Sequence, residues 1–308
     1  MKTLPEIART EVTHVFSVDV EDYFQVEAFA DHVSRHSWEQ YPSRVVANTY
    51  RIVDLLDAHG VKGTFFFLGW VANRFPSLVR EVQGRGHELA CHSYWHRPVY
   101  SLRPEEFRQD TRDALQAIEQ AAGVSVVGYR APTWSITRSC LWALDILAEE
   151  GFIYDSSLYP IRHDLYGVPG AQRFAHTQPC SNGLELKEFP ASTLRILGLT
   201  LPAAGGGYLR LFPMCYTRLA FRRLEQCHRP AIVYVHPWEV DPEQPRLDVK
   251  LRSRLRHYTN LGLTEGRLRC LLREYRFHRF QDLLSGAASR QETSRLATRG
   301  LVSQAPSF

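Results

Sequence analysis

Short apolar runs alternate with amphipathic stretches of helical period along most of this chain, and that alternation restricts the fold more than any other feature. Residues 12–20 are rich in β-branched and apolar side chains (Val12, Val15, Phe16, Val18, Val20) and read as a buried strand that ends in acid, at Asp19, Glu21 and Asp22. Residues 44–59 place Val45, Ile52, Leu55 and Leu56 at helical spacing, with Gly60 as the stop. Residues 61–70, built on Thr64-Phe65-Phe66-Phe67-Leu68, predict a second buried strand. Pro76 then opens a short helix to Gln83, and residues 87–90 predict a third strand. A helix over 104–122 carries the stripe Phe107, Ala114, Leu115 and Ile118 and ends at Gly123. A strand over 124–129 runs into Arg130-Ala131-Pro132, and Thr137 caps a helix that Gly151 closes. Strands and helices in this order argue for a parallel sheet or barrel.

The pattern loosens over residues 159–207, where proline, glycine and short apolar runs dominate and Gly205-Gly206-Gly207 reads as a flexible turn. A helix over 215–226, a strand over 231–235, a last helix over 262–276 and a short strand over 277–280 complete the pass. Residues 1–11 form an N-terminal segment, 12–284 one domain, and 285–308, poor in apolar periodicity, a disordered tail. The net charge of +4 is too small to point to nucleic acid. No apolar run is long enough to span a bilayer, and the N-terminus lacks the apolar stretch of a secretory signal. Six cysteines without a CxxC pair fit reduced thiols in the cytoplasm.

The reactive residues fall in one kind of place. Asp19 and Asp22, His92 and His96, Arg130, and His236 each lie just past the C-terminal end of an expected strand. That edge is where sites assemble in barrels and open parallel sheets. His92 and His96 stand four apart, a spacing that puts both imidazoles on one face of a helical turn and within reach of one metal ion. Such a pair arises often by chance; four strand ends with compatible chemistry do not.

Taken in order, these residues resemble the polysaccharide deacetylase family, the NodB-homology or carbohydrate esterase family 4 fold. Ser17-Val18-Asp19-Val20-Glu21-Asp22 stands for the family's T-F-D-D, His92-Ser93-Tyr94-Trp95-His96 for H-[ST]-x-x-H, and Arg130-Ala131-Pro132 for R-x-P. Asp155-Ser156-Ser157 stands for the fourth motif, and Val235-His236 for the strand ending L-H. The stretches 17–24, 159–164, 236–246 and 257–261 are similar to the deacetylases of exosortase and exopolysaccharide gene clusters, which carry a subfamily-specific C-terminal extension, here about 160–284. The resemblance implies a distorted (β/α) barrel of about seven parallel strands.

It also implies a metal-dependent hydrolase that removes N-acetyl groups from sugars of a bacterial exopolysaccharide or its lipid-linked precursor, with zinc as the divalent metal. Asp19 is then the base for the attacking water, and His236 the acid for the departing amine. Arg130 pairs with Asp19, and Asp155 orients His236. His92, His96 and one acid form the metal site. The first motif departs from the family, because Val20 stands where the second aspartate falls. The acid is then Glu21 or Asp22. Asp22 has the usual ligand's chemistry and is the expected one, although the strand pleat puts Glu21 on the face of Asp19. Without a visible signal, the enzyme is expected in the cytoplasm, acting at the inner face of the membrane, with the arginine-rich run 246–279 available to an anionic glycan or phospholipid. The alternatives are an allantoinase-like cyclic amide hydrolase on the same barrel and a non-catalytic glycan-binding protein.

Overall fold

A computed structural model describes residues 12–285; segment 1–11 and all of the expected tail beyond Ser285 lie outside it. The first half follows the alternation of the sequence. β1 (His14–Val20) is buried at every residue and leads through two 3₁₀ turns into α1 (Val45–Asp57). β2 (Thr64–Phe67) is followed by α2 (Gly69–Arg74) and α3 (Pro76–Gly84), and β3 (Glu88–Cys91) by α4 (Pro104–Ala122). α4 opens with proline at its first position and a capping box between Arg103 and Glu106, and Gly123 ends it in the left-handed conformation. β4 (Gly128–Tyr129), α5 (Trp142–Glu149) and β5 (Tyr154–Asp155) complete the repeating pattern.

The second half adds β6 (His176–Pro179), β7 (Glu185–Glu188), β8 (Thr193–Ile196), β9 (Leu199–Pro202), α6 (Gly206–Leu211) and α7 (Met214–Gln226). It ends with β10 (Ile232–Val235), α8 (Leu251–Tyr258), α9 (Leu261–Glu274) and β11 (Phe277–His278). The main sheet runs β10-β1-β2-β3-β4-β5-β7-β6, parallel as far as β7, with β6 antiparallel at the end and β11 beside the start of β1. This is the expected class, a parallel half-barrel. Among the described residues no ladder joins β10 to β6, so the barrel is open there. The hairpin β8–β9 stands apart as a second sheet.

Strand pleat divides the side chains into two layers. Phe16, Val18, Val20, Phe65, Phe67, Leu89, Val233 and Val235 join the helices in the large outer core. Val15, Phe66, Ala90, Tyr154 and Ile232 point inward and meet Phe280 and Phe189. Glu88 seals the floor of this inner layer. Its carboxylate accepts hydrogen bonds from Thr64 Oγ1 (2.6 Å), Tyr154 Oη (2.8 Å) and the Gln281 amide (3.0 Å). The inner column that starts with Val15 continues upward through Ser17 and Asp19, so the site's first acid is set by the alternation that builds the core.

Three expectations change. The four strands β6 to β9 lie in the stretch that lacked periodicity, because short strands at a sheet's margin bury too little for an alternating signal. The three-glycine run is not a loose turn: Gly206 and Gly207 begin α6. The arginine-rich run contains α8, an additional helix.

Two histidines sit where β1 and β3 begin, buried and uncharged. His14 Nδ1 accepts the Ala231 amide at 2.9 Å, and His87 Nδ1 accepts the Gly63 amide at 3.1 Å. Burial lowers both to about 4. In the unfolded chain they take up protons near pH 6.5. Stability therefore falls as pH drops from about 6.5 toward 4, by on the order of 1–3 kcal/mol for each residue. Urea melts at pH 7.5 and 5.0 check this: His87→Asn, which keeps an acceptor for Gly63, is expected to lose less stability between the two than wild type. Equal losses would show that His87 does not carry the dependence.

Candidate active site at the strand ends

The upper ends of β1, β3, β4 and β10 converge on one cluster. Glu21 lies one step beyond β1, where its amide turns back to the Asp19 carbonyl (3.0 Å). It keeps the inward parity of Ser17 and Asp19. One carboxylate oxygen, Oε2, stands 2.7 Å from His96 Nε2, and the other accepts Trp238 Nε1 at 3.1 Å. Ligand atoms of Glu21, His92 and His96 all lie within 4.8 Å of one another, and all three residues are buried. His92 Nδ1 donates to the Arg130 carbonyl at 2.8 Å, which leaves Nε2 as the lone-pair nitrogen facing the cluster. A buried pair of imidazoles and one carboxylate, with one tautomer already fixed, fits a divalent ion such as zinc.

The histidine pair is not on a helix. Ser93 and His96 both take left-handed backbone angles (φ 66° and 51°), and a turn rather than helical pitch brings the rings together. Ser93 Oγ accepts the His96 amide at 3.1 Å, Asp110 of α4 accepts the Tyr94 amide at 2.7 Å, and Arg35 donates to the carbonyls of Trp95 (2.7 Å) and His96 (3.0 Å). Arg35 and Asp110 carry no motif that sequence reasoning could have used.

Arg130 is wholly buried, its guanidinium 4.1 Å above the Phe66 ring. Nη1 donates to Asp19 Oδ1 (2.6 Å) and Ser17 Oγ (2.9 Å), Nη2 to Ser156 Oγ (3.2 Å), and Nε to the Ser156 carbonyl (3.3 Å). The expected Arg130–Asp19 pair is thus present as a buried contact, and Asp19 Oδ2 is left facing His236 Nε2 at 3.8 Å. His236 Nε2 also stands 3.7 Å from Glu21 Oε1.

Two expected residues lie elsewhere. Asp22 points away from the cluster. Its Oδ2 accepts Ser43 Oγ (2.6 Å) and the amides of Arg44 (2.9 Å) and Val45 (3.1 Å), and Oδ1 accepts the Tyr23 amide (3.0 Å). It is the N-terminal anchor of α1, where amides and the helix dipole favour a carboxylate. Burial nonetheless raises its pKa, with those four donors acting against the rise. The pleat argument that pointed to Glu21 describes the geometry; preference for aspartate chemistry does not.

Asp155 does not touch His236. It lies on the opposite pleat face from Tyr154 and Ser156, paired in register with Glu188 of β7 and hydrogen-bonded to Ser157. Burial pushes Asp155 up to about 6 and, with the neighbouring Asp155 charge, drives Glu188 well above the carboxylate range; the two act as one carboxyl pair. The carboxylate on His236 is Glu239. Its Oε2 accepts both the His236 amide and His236 Nδ1, each at 2.9 Å. The signal was in the sequence: an acid three residues after the start of a proline-opened turn is a capping box, here with histidine in the capping position.

The electrostatics follow. Burial alone would lower His236, but Glu239, Glu21 and Asp19 outweigh it and raise it to about 9. Burial would raise Glu239, but Arg210 and His236 bring it down to about 2. Burial would likewise raise Glu21, and the three surrounding histidines hold it well below the carboxylate range instead. His92 is lowered to about 4, chiefly by burial, which keeps it a neutral donor.

The open, mostly parallel half-barrel matches the NodB-type fold. A polysaccharide deacetylase family model matches residues 36–148, and one for a domain of unknown function (DUF3473) matches residues 156–285. The deacetylase match thus falls in the first half of the chain and covers less than half of its length, and the chain is similar to polysaccharide deacetylases there. It is 31% identical over 207 residues to a peptidoglycan deacetylase-like protein of Gibberella zeae, covering 61% of this chain and 60% of that one. It is 27% identical to the peptidoglycan-N-acetylglucosamine deacetylase of Bacillus cereus over 42% of this chain and 51% of that one. The chain therefore spans between half and three-fifths of the length of these two curated relatives. A Mycobacterium smegmatis crystal structure described provisionally as a polysaccharide deacetylase superposes with a TM-score of 0.61 over 94% of both chains at 21% identity. An allantoinase structure superposes at 0.55 and 14% identity over 90% of each chain, which shows a shared fold.

The two acids at the end of β1 separate cleanly in an experiment. Glu21→Ala is expected to lose bound metal, measured by elemental analysis after purification, with little change in melting temperature of the metal-free protein. Asp22→Ala is expected to keep its metal and lose about 1–2 kcal/mol of stability, the scale of a helix cap. The opposite pattern would restore Asp22 as the ligand.

Proposed function

We propose that this protein is a metal-dependent deacetylase that removes N-acetyl groups from sugars of a bacterial exopolysaccharide or its lipid-linked precursor. The observation that carries the reading is the juxtaposition of Glu21, His92 and His96 with Asp19 and His236 at the mouth of one half-barrel. Glu21, His92 and His96 would hold the divalent metal, zinc in this reading, which when bound would supply Lewis acidity to the reaction. Asp19 takes the proton of the attacking water on Oδ2, because Oδ1 is committed to Arg130. Arg130 fixes Asp19 in orientation through Oδ1. His236 delivers a proton from Nε2 to the departing amine, with Nδ1 held by Glu239.

The deacetylase relatives favour an amide on a sugar over a cyclic amide. Similarity of the stretches 17–24 and 236–246 to exopolysaccharide-locus deacetylases supports the substrate class. α8 supports work on a lipid-linked glycan at the inner membrane face. It carries Arg252, Arg254 and Arg256 beside Leu251 and Leu255, which are 69% and 59% exposed, a composition suited to an anionic lipid surface. Among the described residues no helix is long and apolar enough to cross a membrane.

Acetate release from N-acetylglucosamine oligomers, before and after chelation and zinc restoration, tests the reaction. Chelation or His92→Ala is expected to abolish it, and Asp19→Asn and His236→Ala to slow it by about 10²–10⁴-fold. Release that survives chelation would overturn the mechanism. Turnover of allantoin instead would establish the cyclic amide reading.

A further inference from the structure

Arg210 is among the largest fully buried side chains of the molecule, and the chemistry above makes no use of it. It lies on α6, inside the stretch matched by the domain of unknown function. α6 reaches the site because of the glycines at its start. Gly205 has φ 129°, and a Cβ there would stand 2.4 Å from Tyr234 Cδ1 and 2.5 Å from the Tyr234 carbonyl oxygen. Only glycine lets the chain press this closely on β10, the strand that leads into His236.

The guanidinium has two sets of partners. Nη1 donates to the carbonyls of His257 (2.9 Å) and Thr259 (2.7 Å), and Nη2 to that of Arg256 (3.2 Å). These are carbonyls at the C-terminal end of α8, where unsatisfied acceptors favour a cation. This anchors the side chain to the backbone. Nε donates to Glu239 Oε1 at 2.7 Å. Glu239 Oε2 in turn holds the amide and Nδ1 of His236. The carboxylate is therefore gripped at both ends, by a guanidinium hydrogen-bonded to the end of α8 and by the imidazole it orients. The same guanidinium lies 5.2 Å over the ring of Trp238, which donates to Glu21.

We propose that Arg210 is a positioning residue: through Glu239 it fixes the His236 ring with Nε2 turned toward Asp19 and Glu21. The alignment is a property of the fold; only its effect on rate rests on the deacetylase reading. A buried carboxylate whose counter-charge is removed swings or takes a proton, and in either case the imidazole loses its acceptor. Lysine at 210 restores the charge but not the planar fork that spans α8 and Glu239 together.

The experiment uses the full chain with bound metal and two readouts. The first is the proton NMR signal of His236 Nδ1–H, assigned by its absence in His236→Asn. The signal is expected in wild type, lost in Arg210→Met and broadened in Arg210→Lys. The second is kinetic: Arg210→Met is expected to lower kcat about 10–100-fold with KM and metal content little changed, and Arg210→Lys to recover part of it. Arg210→Met combined with Glu239→Gln is expected to be no slower than Glu239→Gln alone, as for two members of one chain of contacts. An unchanged Nδ1–H signal in Arg210→Lys and Arg210→Met, or losses that multiply in the double variant, would overturn the proposal. If Arg210→Met does not fold, Arg210→Lys carries both readouts. If wild type releases no acetate, the deacetylase reading fails, and the NMR arm still decides the role of Arg210.

Discussion

A single guanidinium buried inside the half-barrel sets the terms for everything above it. Arg130 has no access to water, and an unpaired charge there would cost several kcal/mol. Its donors are met by Ser17 and Asp19 from β1 and by Ser156 beyond β5, while aromatic rings cover its faces. The sheet must therefore keep β1, β4 and the end of β5 in one register. The Arg130 carbonyl also fixes the tautomer of His92. Charge balance in the lumen and ligand geometry above it are thus one requirement.

The parts of this arrangement legible in the sequence were those governed by periodicity. The β-α alternation located the strand ends, and the strand ends located Asp19, His92, His96, Arg130 and His236. Pleat parity also pointed to Glu21, and it describes the carboxylate that meets His96, because the inward column continues one residue past the ladder. Chemical likeness pointed to Asp22, which instead holds the first turn of α1. Asp155 was misplaced for the same reason: its pleat face turns it toward Glu188. What sequence could not supply were contacts between distant segments without a pattern of their own, such as Arg35 and Asp110 on the histidine turn and Arg210 on Glu239. Marginal strands were equally silent, since a four-residue strand exposed on one side leaves no period to count.

The second half of the chain is more than an appendage. β7 extends the sheet and supplies Glu188 to Asp155, α6 reaches Glu239, and α8 offers its terminal carbonyls to Arg210. Trp238 lies between His236 and His257 with its ring nearly parallel to both, and its indole N–H reaches Glu21. The turn after β10 is where the two halves exchange contacts, and it touches both the carboxylate of the cluster and the facing imidazole.

The left-handed backbone at Ser93 and His96 has a further consequence. Such angles are unfavourable for residues with a Cβ, by about 1–2 kcal/mol each. Here the turn is braced by hydrogen bonds from Arg35 and to Asp110 and the Ser93 hydroxyl. The spacing of the two imidazoles therefore follows from the backbone of the turn and the groups that brace it. An ion entering between Glu21, His92 and His96 would meet a bite already set by the fold of this turn.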